Sequence, residues 1–213
     1  MRILTFNIQG QENWDSLREI SETISRSNAD IVLLQEVMRL DRLTQADLIN
    51  QELGYSWMTS SITRFYSSSK TGKKFFEGLA VLSRYPIVTC ESLVLQPIEG
   101  DKHQRIVQFL QIDIAGKPVD IVNLHLSNRQ AFAEQQFSEV QELVGDRHVI
   151  LGGDFNMYDL QPLRALGAYT FSYDIEHYIT NTDKNDGSVH ALDHVLVPVG
   201  YSITSVVAIE QSV

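Results

Sequence analysis

Short apolar runs, each closed by one or two polar side chains, set the frame for this chain. Val149-Ile150-Leu151 leads into Gly152-Gly153-Asp154-Phe155-Asn156. The aliphatic run reads as a buried strand, and the two glycines let the backbone, or a ligand, come close. A carboxylate and a carboxamide two residues apart at a strand end can point the same way, because strand side chains alternate with period two. An oxygen-rich pair in that place suits a hard cation and an activated water. Alone, the pentapeptide also reads as a turn, since Gly, Asp and Asn are turn formers. The rest of the chain separates the two readings.

Strands and helices alternate along the sequence, without repeats or a long linker. Strands are expected over 2–8, 30–37, 77–83, 87–95, 149–151 and 192–197, and a last one over 203–209. Residues 106–114 and 119–126 read as a hairpin pair turned by Gly116 and Lys117. Apolar residues at helical spacing predict helices over 14–27 and 129–144, carried by Leu17, Ile20 and Ile24 in the first and by Ala133, Phe137, Val140 and Val144 in the second. Shorter helices are expected over 43–53 and 159–166, the latter stopped by Gly167. Residues 60–74, rich in serine, and 169–187 read as irregular. Hairpins among buried strands, with helices between, argue for packed sheets covered by helices.

With 213 residues the chain suits one domain with a sizeable core, and 43% hydrophobic residues exclude disorder. No apolar stretch reaches membrane-spanning length. No secretory signal is read at Met1-Arg2-Ile3-Leu4, and the single Cys90, expected as a small buried hydrophobe, fits a reducing compartment. A cytoplasmic, monomeric protein is the expectation. Lysine and arginine number 17 against 27 acidic residues, a net charge of −10, which weighs against non-specific binding of long duplex DNA. The local cationic cluster Lys70, Lys73 and Lys74 reads as a solvated loop. An acidic protein still binds phosphates when a metal brings the positive charge.

The polar residues share one placement. Asn7 closes the first strand, Gln35 and Glu36 the second, and Glu77 opens a strand at Gly78. His125 ends Ile121-Val122-Asn123-Leu124, and Asp193 stands in Ala191-Leu192-Asp193-His194-Val195. Polar groups inside apolar strands cost free energy unless paired or solvated. Their recurrence at strand ends points to one solvated cleft.

Six segments in order carry a family resemblance. They are Thr5-Phe6-Asn7, Leu34-Gln35-Glu36-Val37, Glu77-Gly78-Leu79-Ala80-Val81-Leu82-Ser83-Arg84-Tyr85-Pro86-Ile87, Asn123-Leu124-His125-Leu126, Gly153-Asp154-Phe155-Asn156 and Leu192-Asp193-His194-Val195-Leu196. Together they resemble the endonuclease/exonuclease/phosphatase (DNase I-like) superfamily, from Met1 to about Val197. The resemblance implies a four-layer α/β (α+β) sandwich, two mixed β-sheets packed face to face with helices outside. It implies a hydrolase of phosphate esters (phosphodiesterase, nuclease or phosphatase) using Mg²⁺ or Mn²⁺. Glu36 resembles the main metal ligand and Asn7 the asparagine beside it. Asp154 resembles the residue that orients or deprotonates water, and Asn156 one that holds a phosphate oxygen. His125 resembles the histidine that contacts the phosphate or protonates the leaving group, and Glu77 the carboxylate that orients it. Arg105 stands where members often carry a phosphate-binding arginine. Asp193 resembles the aspartate that fixes a second, C-terminal histidine.

That histidine is where the chain departs from the pattern. Members end with Ser-Asp-His-x-Pro after one more strand, and no Ser-Asp-His occurs among these residues. His194 follows an aspartate, but strand alternation turns it away from Asp193's side. Two expectations stand: an enzyme domain lacking its C-terminal segment, with turnover reduced, or a non-catalytic member that binds a phosphate ligand or a protein. The family spans nucleic acids, phospholipid head groups, inositol phosphates and nucleotides, and fold does not choose among them. A small cytosolic phosphate ester or nucleotide is the expected substrate.

Overall fold

The computed structural model describes residues 1–10, 14–67, 74–101, 103–182 and 186–209. Each of two sheets is built around a strand–helix–strand crossover, the connection that parallel strands require. In the first, strand β1 (Ile3–Asn7) leads through helix α1 (Trp14–Ser27) to β2 (Ile31–Leu40), which lies parallel to β1 with Asn7 opposite Gln35. A two-residue strand β3 (Leu43–Thr44) and helix α2 (Gln45–Leu53) follow. The long hairpin β4 (Trp57–Ser67) and β5 (Lys74–Ser83) completes the order β1-β2-β5-β4, with β3 on the far end of β2. Helix α2 begins on a reciprocal cap: Thr44 Oγ1 accepts from Asp47 N while the Asp47 carboxylate accepts from Thr44 N. It ends on Gly54 in the left-handed region.

The second sheet starts with β6 (Ile87–Val94), β7 (Ile106–Ile114) and β8 (Lys117–His125). Ala115 and Gly116, with φ of 55° and 81°, turn β7 into β8 as a two-residue turn matched to strand twist requires. Helix α3 (Gln130–Val144) then crosses to β9 (Val149–Asp154), parallel to β8. Beyond it come α4 (Gln161–Arg164), β10 (Tyr169–Phe171), α5 (Ser172–Ile175), a small hairpin β11 (Asn181–Thr182) and β12 (Val189–His190), and β13 (Asp193–Pro198). The order across this sheet is β10-β13-β9-β8-β7-β6.

Alternation sorts the apolar residues into three layers. Val32, Leu34, Ala80 and Leu82 pack outward against Leu17, Ile20 and Ile24 of α1 and Ala46 and Ile49 of α2. Val122, Leu124, Val149 and Leu151 pack outward against Ala133, Phe137, Val140 and Val144 of α3. Between the sheets Ile31, Leu33 and Val81 meet Leu110, Ile112, Ile121 and Ile150. The expected four-layer DNase I-like sandwich is the observed fold.

Four expectations are corrected. Residues 60–74 are not irregular where described: β4 and β5 pair through them with Ser67 opposite Lys74, leaving Ser68, Ser69, Lys70 and Lys73 outside the described residues. Glu77 therefore lies within β5 rather than at its start. No strand forms over 203–209, where a single bridge between Val199 and Tyr201 ends the pairing and most residues are exposed. Cys90 is exposed on β6, which pairs with β7 alone.

Candidate active site

The second sheet sets three candidate residues in one row. His125 at the end of β8 pairs with Asp154 at the end of β9, and Asp154 pairs with Asp193 at the start of β13. Neighbours in register share a face, so an imidazole and two carboxylates stand side by side. Two glycines make the row possible. A Cβ at Gly153, whose φ is 145°, would lie 2.0 Å from the Leu124 carbonyl oxygen, and one at Gly152 would strike Leu33 from the first sheet. The glycines thus admit a neighbouring backbone and a core side chain.

The first sheet reaches the row through Asn7 and Glu36. Asn7 Nδ2 donates to Asp154 Oδ2 at 2.8 Å and to Glu36 Oε1 at 3.2 Å, while its Oδ1 accepts from Gln9 N at 2.9 Å. His125 Nε2 lies 3.7 Å from Asp154 Oδ2 and 3.9 Å from Glu36 Oε1. One amide and one imidazole therefore stand between the same two carboxylates. Glu36 sits at an irregularity: the β2–β5 ladder slips between Leu34 and Val37, and Glu36 takes φ of 55°. Such a bulge re-aims a side chain. Without it, alternation from Val32 and Leu34 would send Glu36 toward the helices.

Asn156 lies past the strand end, with φ of 52°. Its backbone N donates to Asp154 Oδ1 at 3.0 Å, and its Nδ2 donates to the Leu126 carbonyl at 3.0 Å. The strand-end and turn readings of this segment both describe part of it: Asp154 closes the strand, and its side chain holds the turn that follows. Glu77, Arg105 and His125, all buried, line one cavity of about 20 Å³ with Gln104. That is space for about one water.

Burial governs the electrostatics. Desolvation pushes the Asp154 carboxyl up to about 6, against the lowering effect of the Asn7 and Asn156 hydrogen bonds, and the Glu36 charge adds to the rise. Desolvation also raises Asp193 well above the ordinary carboxylate range, followed by the charge of Asp154, while a hydrogen bond to Thr180 pulls the other way. Asp193 Oδ1 is buried without a hydrogen-bond partner. His194 faces the opposite side, among Phe155, Phe171 and Tyr178, with Nδ1 2.8 Å from the Tyr178 hydroxyl. Burial lowers it to about 3, which leaves it a neutral packing residue.

Two contributors were not singled out by sequence. Thr180 Oγ1 accepts from Leu192 N and Asp193 N, and nothing in the surrounding loop composition marks it. Asn123 is fully buried between the sheets. Its signal was a carboxamide at an inter-sheet position of an otherwise apolar strand, which is costly unless fully bonded.

The model of the Endonuclease/Exonuclease/phosphatase family matches residues 4–212. The chain belongs to this family. Its members are generally phosphoesterases and typically use divalent metals. A curated relative, "Uncharacterized protein YbhP" from Escherichia coli (strain K12), is 26% identical over 148 residues, or 66% of this chain and 58% of the relative. The match thus spans less than two thirds of that relative. Among solved structures, an endonuclease/exonuclease/phosphatase family protein from Leptotrichia buccalis superposes with a TM-score of 0.73 at 17% identity, covering 92% of this chain and 86% of its own. TDP2 from D. rerio complexed with a single-strand DNA product gives a TM-score of 0.70 at 15% identity, covering 93% and 83%. At these identities the structures establish the shared fold of the endonuclease/exonuclease/phosphatase family.

The donor set fits a hard divalent cation. Among the described residues no three His, Cys, Asp or Glu side chains form a ready metal cage. Magnesium does not need one, since it usually keeps several waters and takes one or two carboxylates. Glu36 and Asp154 already converge on the single Asn7 amide, and the Glu36 side chain is 30% exposed, so water can complete a coordination shell. Among the described residues, no helix is long and apolar enough to cross a membrane.

Proposed function

We propose that this chain is a divalent-metal-dependent hydrolase of phosphodiesters. The observation that supports this most is the convergence of Asn7, Glu36, His125 and Asp154 from two sheets onto one half-open knot of hydrogen bonds and ionic contacts. Glu36, with Asn7 beside it, would hold Mg²⁺ or Mn²⁺. When bound, the cation neutralises charge on the phosphate.

The remaining chemistry belongs to the side chains. Asp154, with a carboxyl raised to about 6, is ionised at neutral pH yet more basic than an ordinary aspartate, which suits a group that takes a proton from water. The water oxygen forms a bond to phosphorus in line with the ester oxygen, whose bond to phosphorus breaks. His125 gives the leaving oxygen a proton or a hydrogen bond, with Glu77 orienting the ring. Arg105 and Asn156 hold the non-bridging oxygens. Asp193 stands beside Asp154 in the row, its own carboxyl raised by burial and by the Asp154 charge.

A nucleotide or other small phosphate ester is the substrate class we favour. The net charge of −10 disfavours long duplexes, and the structural relative TDP2 from D. rerio, complexed with a single-strand DNA product, supports a nucleotide-type ester. The test is hydrolysis of bis(p-nitrophenyl) phosphate and of a thymidine dinucleotide, with Mg²⁺ or Mn²⁺ and with a chelator. Metal-dependent turnover that Glu36→Ala removes is expected. No turnover of either ester at any metal concentration would overturn the proposal.

A further inference from the structure

Behind the candidate site the inter-sheet core changes character. Towards one end of the sandwich it is aliphatic, with Ile121 and Ile150 facing Ile31 and Leu33. Under the cleft β2, β7 and β8 carry three carboxamides, Gln35, Gln108 and Asn123, all fully buried. They form one chain. Gln35 Nε2 donates to Asn123 Oδ1 at 2.9 Å and to the Leu33 carbonyl at 3.2 Å. Asn123 Nδ2 lies 3.1 Å from Gln108 Oε1, and Gln108 Nε2 donates to Ser61 Oγ at 3.0 Å.

Asn123 does more than join side chains. Its Nδ2 also meets the Ala80 carbonyl at 3.1 Å and the Leu34 carbonyl at 3.3 Å. Leu34 and Ala80 are the last pair in register before the β2–β5 ladder slips. A side chain of the second sheet thus ties down the first sheet's backbone where the bulge begins. Glu36 is two residues on, in the left-handed conformation that a glutamate adopts only when its surroundings impose it. His125, the imidazole nearest to Glu36, is two residues after Asn123 on the same face of β8.

We propose that Asn123 is a positioning residue for Glu36. It clamps the bulge from the opposite sheet and so sets how tightly the site holds a divalent cation, without touching cation or substrate. An aliphatic residue at 123 would match its neighbours Val119 and Ile121 in packing but would leave the Gln35 amide and two carbonyls underbonded. The link to cation binding rests on the reading of Glu36 given above, whereas the clamp itself does not.

Asn123→Asp keeps the shape and the acceptor for Gln35 but removes both donor hydrogens. Asn123→Ser keeps one donor and adds no charge. Val122→Ala, on the opposite face of the strand and packed beneath α3, is the control that destabilises without touching the clamp. Amide hydrogen exchange over residues 34–38 is expected to speed up about tenfold or more in Asn123→Asp, less in Asn123→Ser, and not in Val122→Ala. Mn²⁺ binding, followed by the electron paramagnetic resonance of the free ion, should weaken in the same order, by ~10–100-fold in Asn123→Asp, the range for partners that orient a ligand. Unchanged exchange in both Asn123 variants, or an equal rise in Val122→Ala, would overturn the clamp. Accelerated exchange with Mn²⁺ affinity intact would remove its link to the cation. If wild type and Glu36→Gln bind Mn²⁺ alike, the metal reading of Glu36 fails, and the exchange data still decide the clamp.

Discussion

The two sheets deliver their polar groups to the cleft in different ways. The second sheet offers His125, Asp154 and Asp193 as a straight row across three strands in register. The first offers Asn7 from a regular strand end and Glu36 from a bulge, with Glu77 just past slips in both neighbouring ladders. Geometry in the row follows from the pleat and is as stiff as the sheet itself. Geometry at the bulge depends on what holds the bulge. The proposed general base is thus built on the stiffer sheet and the proposed metal-side carboxylate on the more adjustable one.

The largest expected effects come from closing the spaces that each arrangement needs. A methyl at Gly153 meets the Leu124 backbone, and one at Gly78 would lie 1.9 Å from the Ser61 carbonyl oxygen. Gly153→Ala combines that clash with a positive φ and should cost about 4 kcal/mol, measured by urea unfolding. Gly78→Ala, without the positive φ, should cost less, about 2–3 kcal/mol, as the slipped ladders give way. Equal costs would mean that the bulged sheet is no softer than the row.

Catalysis should separate the sheets next. Asp154→Asn is expected to lower kcat by ~10²–10⁴ at any metal concentration, because it removes the proton acceptor. Glu36→Gln should chiefly raise the Mg²⁺ concentration needed, and saturating metal should restore much of the rate. Metal titrations of both variants on one phosphodiester check this. Recovery of Asp154→Asn by metal would exchange the roles assigned to the two carboxylates.

The row also carries a pH signature. Asp154 titrates near 6 when folded and near 3.8 in its ordinary state. Between those values the folded protein holds the proton that the unfolded chain has lost, so stability falls as pH rises through that window. The loss is complete above about 6 and is on the order of 3 kcal/mol. Asp193, raised for the same reason, adds to the fall. Metal-free protein should therefore melt lower at pH 7.5 than at pH 5, Mg²⁺ should raise the melting temperature more at pH 7.5, and Asp154→Asn should flatten the profile. A profile equally steep in the variant would place the titration elsewhere.

How much of this was legible in the sequence follows the same division. The row was readable because period-two alternation and glycines leave local marks: Leu151 to Asn156 and Leu124-His125 announce a strand end. Register then supplies the neighbours. Glu36 was readable as a residue but not its bulge, since the slip arises from pairing with β5, some 40 residues away, and from Asn123 across the sandwich. Serine-rich residues 60–67 read as loop because their polarity outweighs their pattern. They form strand because β5 supplies a long partner, and tertiary pairing overrides propensity. The strand expected over 203–209 fails for the converse reason: its β-branched residues find no ladder beyond Tyr201.

The smallest effect tests where the bulge's support stops. Beyond the slip, β2 is tied to the helix layer as well: Gln45 Oε1, in the first turn of α2, accepts from Met38 N at 3.0 Å. Thr44 caps that helix through the bond from Asp47 N to its hydroxyl. Thr44→Ala should cost about 1 kcal/mol, the usual value of such a cap, and lower Tm by a few degrees. Both the rate and the Mg²⁺ requirement should stay at wild-type values, because the carbonyls at Leu34 and Ala80 are held from the opposite sheet and not from α2. A raised Mg²⁺ requirement in Thr44→Ala would show that Glu36 is positioned from both sides, by the helix layer and by the second sheet, and the contrast between a self-supporting row and a clamped bulge would then extend through three layers of the sandwich.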